Sequence, residues 1–193
     1  MIDPAIPPAA GSVALYLQAP GLYRLGLAEK DPLLVLTAAR ILHGLALTET
    51  RRQPDPARET ATAVDAPDAA AALETARRLD AGQNQGDLID LLAREVPPQP
   101  RALRATASVL SPGQSEVWTL AFFGGTYGEP AILEDGKSNL DLVVMAADDT
   151  QICVDRGSSD ASLCGFVLMT NGDVTVRVSN VGTVADNYLL LTE

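Results

Sequence analysis

The sequence predicts an α+β chain, with a small helical bundle in the first half and an antiparallel β-sandwich in the second. Three observations predict it. Up to about residue 100, apolar residues recur at helical spacing. Beyond that point they alternate with a period of two between turns rich in Gly, Asn and Asp. The composition shifts at the same place, from Ala, Leu and Arg to Val, Thr, Gly, Asn and Asp. A chain of 193 residues has room for two domains of ordinary size. They are expected as a helical domain over 1–100, ending in the stiff Pro97-Pro98-Gln99-Pro100 connection, and a sandwich domain over 101–193.

Taken in order, residues 1–10 are Pro-rich and predict irregular chain. The apolar spacing of Val13, Leu15, Leu17, Leu22, Leu25 and Leu27 predicts helix over 11–29, broken or kinked at Pro20-Gly21. Asp31-Pro32 is an N-cap acceptor followed by proline at the first helical position, a strong start signal. The helix that follows, over 33–47, would bury Leu34, Ala38, Ile41 and Leu45. Residues 48–66 have no usable period and predict a long loop. Helix resumes from Pro67-Asp68 to about Asp80, with Gly82 as its C-cap, and again over 86–95 with Leu88, Leu91 and Leu92 turned inward. In the second half, eight strands are expected over 103–110, 116–122, 130–133, 140–146, 150–154, 162–168, 173–180 and 187–192. Short alternating strands bury their apolar faces by closing two sheets over one core, and a jelly-roll order suits eight of them.

Charge narrows the partners. The chain carries a net charge of −11, with a sequence pI near 4.4. Such a surface repels phosphate backbones, so nucleic acid is not expected. No apolar run approaches the ~20 residues needed to span a bilayer. Met1-Ile2-Asp3-Pro4 lacks the basic start of a signal peptide. The chain therefore reads either as a cytosolic protein with two free thiols or as a mature exported one whose signal peptide has been removed. Cysteine placement favours the second, periplasmic or secreted: Cys153 and Cys164 flank one predicted turn, where neighbouring antiparallel strands would bring them within reach of a disulfide.

Three segments of the second half resemble a known family. They are Asn139-Leu140-Asp141-Leu142-Val143-Val144, the run from Asn171-Gly172-Asp173-Val174 through Val178-Ser179-Asn180-Val181-Gly182, and Asn187-Tyr188-Leu189-Leu190-Leu191. Together they are similar to the bacterial pre-peptidase C-terminal family, in which an Asp-rich strand precedes a Gly-led strand and a closing Tyr strand. The likeness covers about 108–193. Val174 departs from the pattern, standing where an aromatic residue is usual. The resemblance implies an accessory jelly-roll domain of the kind found on secreted enzymes, some of which bind calcium or matrix polymers. A helical first half joined to such a sandwich is similar to the arrangement in bacterial envelope proteins.

Few residues carry chemistry. Asp141, Asp155 and Asp160 would approach one another if 140–146 pairs with 150–154, and with the Asn139 amide they offer the oxygens calcium requires. Turn formation, with Arg156 as a neutralising partner, explains the same aspartates without a metal. His43 is the single histidine and sits beside Arg40 on a helix, so neither a Ser-His-Asp nor a Cys-His arrangement is expected, and two cysteines with one histidine fall short of a zinc site. Gly124-Gly125-Thr126-Tyr127-Gly128 lacks the Lys-Ser/Thr of a phosphate cradle and predicts a wide turn. Of the aromatics around it, Trp118 and Phe122 are expected in the core, leaving Phe123 and Tyr127 as candidate ligand contacts.

The expectation is a non-enzymatic exported module that binds a protein or polymer at the cell envelope, with no cofactor other than calcium. Two alternatives stand beside it. One is a secreted hydrolase, or its accessory domain, using the Asp-rich loop; the other is a calcium-stabilised assembly unit. Oligomeric state is not legible in the sequence.

Overall fold

A computed structural model of the chain describes residues 11–57, 64, 68–81, 84–95 and 100–193. The architecture is α+β, and the chain forms two compact units. Their boundaries interleave: among the described residues one unit draws on 14–47, 68–81, 84–95 and 100–103, the other on 11–13, 48–57, 64 and 104–193. Residues 48–57 fall in the same unit as the sandwich strands.

The first unit is helical. α1 (Ser12–Glu29) runs through Pro20 instead of breaking there. Tyr16, Ala19 and Pro20 are all buried, and that packing outweighs the one backbone hydrogen bond that proline removes. α1 and α2 (Pro32–His43) meet closely at Gly26, where a Cβ would come within 2.6 Å of Val35 Cγ2. Asp31 caps α2 as expected, its carboxylate accepting from the Leu33 amide at 2.8 Å, and Gly44 ends the helix. The buried face is Pro32, Val35, Ala38, Ala39 and Leu42, rotated from the expected Leu34–Ile41 stripe. α3 (Ala69–Leu79) is capped by Asp68, which accepts from Ala71 N at 2.7 Å. The expected cap Gly82 lies outside the described residues, and Asp80 ends the helix. α4 (Gly86–Arg94) buries Ile89 and Leu92, whereas Leu88 and Leu91 are 49% and 67% exposed, which corrects the inward assignment of the latter two. Val35, Ala39, Ala72, Leu73, Ala76, Ile89 and Leu92 form the common core, so small alanines set the helix spacing.

The second unit is the sandwich. Residues expected to continue α2 and then loop form strand β1 (Leu45–Glu49), the edge of a five-stranded sheet. β2 (Arg101–Leu110), β3 (Ser115–Phe122), β4 (Tyr127–Gly128), β5 (Ala131–Glu134), β6 (Leu140–Ala146), β7 (Gln151–Asp155), β8 (Ala161–Leu163), β9 (Phe166–Val167), β10 (Gly172–Asn180) and β11 (Asp186–Thr192) follow. One sheet has the order β1-β2-β11-β5-β8, the other β3-β10-β6-β7, and β4 pairs with β9 in a short ribbon. The expected strand 162–168 is thus two strands, divided at Cys164-Gly165.

Period two puts the apolar residues between the sheets. Val174, Val176 and Val178 of β10, Leu140, Leu142 and Val144 of β6, Trp118 and Leu120 of β3, and Ile132, Tyr188 and Leu190 of the other sheet share one core. Register follows: Val176 lies opposite Trp118 on one side and Val144 on the other. At ~25 cal/mol per Å² of apolar surface removed from water, this core is the dominant stabilising term. The outer edge of β3 is shielded where Asp55 bridges to Val117, a backbone pairing that blunts an otherwise open strand.

Candidate functional site

The two ends of the sandwich differ in chemistry. At the end where β3 finishes and β10 begins, loop 123–126 lies against loop 168–171. Gly124 N donates to Asn171 Oδ1 at 2.9 Å, Gly125 N to Leu168 O at 2.7 Å, and Thr126 Oγ1 back to Phe123 O at 2.8 Å. Glycine is required here twice. Gly125 adopts φ +74°, and a Cβ at Gly124 would come within 2.5 Å of the Thr170 backbone. The outcome is a fixed loop that holds Phe123 in water, 73% exposed, with Met169 55% exposed on the adjoining loop. Phe122, one residue earlier, turns inward and packs edge-to-face on Phe166 with centroids 5.0 Å apart.

Tyr127, the second candidate contact, is placed otherwise. It is half-buried in β4 opposite Val167, and its ring occupies the space that a side chain at Gly165 would fill. Burial raises its hydroxyl pKa, with the charges of Glu129 and Glu193 adding to the effect. Those two carboxylates accept from the first amides of α1: Gly11 and Val13 donate to Glu129, Ser12 to Glu193. Phe123 and Tyr127 therefore do not form one site.

Cys153 and Cys164 form a disulfide with a Cα–Cα distance of 5.8 Å. The bond is as expected, but its setting is not: β7 pairs with β6, and β8 pairs with β5 in the opposite sheet. It joins the two sheets along one open side instead of linking hairpin neighbours.

β6 and β7 do pair, with Leu142 opposite Asp155. Asp141 faces Arg156 at 3.6 Å, while Asp155 accepts from the Gly157 and Leu163 amides at 3.0 and 3.2 Å, so both carboxylates serve the turn. Asp160 lies against Gly136 on the β5–β6 loop. Among the described residues no group of three or more His, Cys, Asp or Glu side chains is arranged to hold a metal ion, and Asp141, Asp155 and Asp160 are not brought together as one. His43 closes α2, its Nε2 2.6 Å from the Glu95 carbonyl oxygen.

The opposite end of the sandwich carries acids that sequence reasoning missed. Asp186 and Glu134 are buried. Ser138 N donates to Asp186 at 2.7 Å and Leu140 N to Glu134 at 3.3 Å, but Glu134 Oε1, Asp186 Oδ1 and the neighbouring Asn139 Oδ1 have no hydrogen-bond partner. Burial lifts Glu134 to about 8, with the charges of Asp186, Asp160 and Asp155 adding to it, and lifts Asp186 to about 6. Burial would also raise Asp135, but hydrogen bonds from Asp186, Asn187 and Lys137 outweigh it and hold that carboxyl below the ordinary range. Between the sheets, Trp118 Nε1 donates to the Tyr188 hydroxyl at 2.9 Å, and that hydroxyl donates to Glu116. A signal existed for each acid. Glu116 is in phase with Trp118 and Leu120, Glu134 with Ile132, and Asp186 with Tyr188 and Leu190, so period two places all three inward.

No protein-family model matches the chain, and no curated protein does. Solved structures similar to the chain include a pre-peptidase C-terminal domain of a collagenase from Bacillus anthracis, 14% identical, covering 46% of this chain and 87% of that one with a TM-score of 0.40. Another is the periplasmic inhibitor of g-type lysozyme from Aeromonas hydrophila, 14% identical over 47% of this chain and 86% of that one, TM-score 0.36. A carbohydrate-binding module solved with calcium and xylotriose is 8% identical over 44% and 76%, TM-score 0.29. A pre-peptidase C-terminal domain is thus among the structural neighbours of a chain whose second half resembles that family in sequence. At such identities and TM-scores none of these likenesses bears on function.

Proposed function

We propose that the chain is a non-enzymatic, extracytoplasmic binding module whose contact surface is the sandwich end carrying Phe123. One observation carries the reading: a bulky aromatic side chain is held in water by a loop clamped at Gly124, Gly125 and Thr126. Burying a phenylalanine stabilises by about 1.5–3 kcal/mol, so a fixed loop that keeps one exposed forgoes that gain, and binding a partner recovers it. Support for the compartment comes from the Cys153–Cys164 bond, since disulfides persist in oxidising surroundings. No helix among the described residues is long and apolar enough to cross a membrane. The hydrolase alternative gains no support, because Asp141 and Asp155 are engaged in local turn contacts.

Site-specific photo-cross-linking in the native host tests this. A photoreactive residue at Met169 should yield one discrete adduct, and the same residue at Thr183, on the far end, should not. Equal adducts from both ends, or none from Met169, would remove Phe123 from the function.

A further inference from the structure

The surroundings of Phe123 specify the chemistry of its partner. Three loops meet at this end of the four-stranded sheet: 123–126 after β3, 147–150 between β6 and β7, and 168–171 before β10. Their common level follows from the pairings Phe122–Gly172, Val174–Ala146 and Met145–Gln151. They bring exposed Asp148, Asp149 and Asp173 to the same end as exposed Phe123 and Met169. Strands in a sheet lie about 4.8 Å apart, so the β6–β7 turn stands on the order of 10 Å from β3, within the footprint of one bound peptide. Asp148 is fixed by the Thr150 amide at 3.1 Å, and hydrogen bonding to Thr150 lowers its pKa, so the charge is permanent at neutral pH.

Among residues 122–127, 146–150 and 168–173 there is no lysine or arginine. Arg177, the nearest cation along β10, is five residues from Gly172, roughly 16 Å up the strand. Lys137 and Arg156 stand toward the far end, beyond Glu134 and Asp155. Arg104, opposite Thr192, stands at the same end on the other sheet, and Arg52 donates to Thr192 there at 2.7 Å, so the cations of this end lie on the facing sheet while the three loops of the four-stranded sheet carry only acids. An apolar centre beside three acidic loops disfavours a second copy of the same face, since like charges on those loops would meet. A neutral sugar polymer leaves three carboxylates unanswered.

We infer that this end of the sandwich docks a cationic protein segment, one in which Lys or Arg residues flank an aromatic or aliphatic side chain that covers Phe123 and Met169. The inference rests on the proposal that the Phe123 end is the contact surface. Electrostatic complementarity of this kind speeds encounter and rejects acidic partners, while the apolar anchor holds the complex.

A random peptide library displayed on phage, selected on the full chain, tests the partner chemistry. Enriched peptides should combine Lys or Arg with aromatic or aliphatic residues. Binding of a synthetic copy should weaken about tenfold with Phe123→Ser. It should weaken by a similar factor with Asp148→Asn, Asp149→Asn and Asp173→Asn combined, and again on raising salt from about 0.01 M to about 0.5 M. Phe123→Ser should melt at the temperature of the unmodified chain, and the triple variant should stay folded with a cooperative transition. Enrichment of neutral or acidic peptides that still depend on Phe123 overturns the cationic partner and leaves the contact surface standing. Peptides indifferent to Phe123→Ser, or no enrichment at all, count against both.

Discussion

Raising the pH should destabilise this protein across a window where most acidic proteins are indifferent, and Glu134 is the reason. Its carboxyl is buried, one oxygen accepts only from Leu140 N, and the other has no partner. Burial lifts its pKa from 4.5 to about 8. Between those values the folded chain keeps a proton that the unfolded chain has released. Stability is therefore fully present below about pH 4.5 and falls as pH rises toward 8. At about 1.4 kcal/mol per pKa unit the displacement corresponds to about 5 kcal/mol, and relaxation around the charged form reduces it to roughly 2–5 kcal/mol. Asp186, lifted to about 6, acts in the same direction over a lower range. Asp135 and Asp148, both lowered, act oppositely, and their contributions are lost as pH falls below the ordinary aspartate value. Urea unfolding at about pH 5 and about pH 9 measures the difference. Glu134→Gln is neutral throughout, so it should lose most of that decline and exceed the natural chain at the higher pH by about 2–4 kcal/mol. Identical pH slopes for the two proteins, or a natural chain that gains stability on going alkaline, would refute the reasoning.

Four further outcomes are expected. Unreduced protein should show no free thiol by mass spectrometry, and Cys153→Ser with Cys164→Ser should cost about 2–3 kcal/mol of stability, the loop-closure value for a separation of 11 residues. Tyr188→Phe leaves buried Glu116 and Trp118 Nε1 without their shared hydroxyl, so stability should fall by about 1–3 kcal/mol in denaturant titration. Gly124→Ala forces a Cβ into the Thr170 backbone, and the 123–126 amides should exchange faster while the core strands keep their protection. Adding calcium or a chelator should leave the melting temperature unchanged, because Asp141 is paired with Arg156 and Asp155 with backbone amides.

Local signals carried the sandwich and nonlocal ones did not appear in the sequence. The valines of β10 and the alternation in β6 and β11 announced their strands to within a residue, and the Asp148-Asp149 turn announced the β6–β7 pairing. β1 was not legible because its stability comes from a partner far away in the chain: Thr50 N donates to Ala105 O at 2.7 Å. The break between β8 and β9 depends on Tyr127 claiming the space at Gly165, which no window around residue 165 contains. The same contact half-buries Tyr127. In α4 the leucine stripe was right for Leu92 but not for Leu88 and Leu91, because Ile89 and Leu92 are the pair that meets the alanines of α3. Phe123 and the cysteines were legible as candidates from type and position alone, whereas the inward acids were passed over because carboxylates are ordinarily assigned to solvent.

The most direct test of the binding proposal is amide hydrogen exchange of the full chain, alone and with the partner trapped at Met169. Slowed exchange at 123–127 and 168–173, with the Asp135–Asp186 end unchanged, is the predicted footprint. Protection confined to that acidic end, or to the open edge of β7, would contradict it.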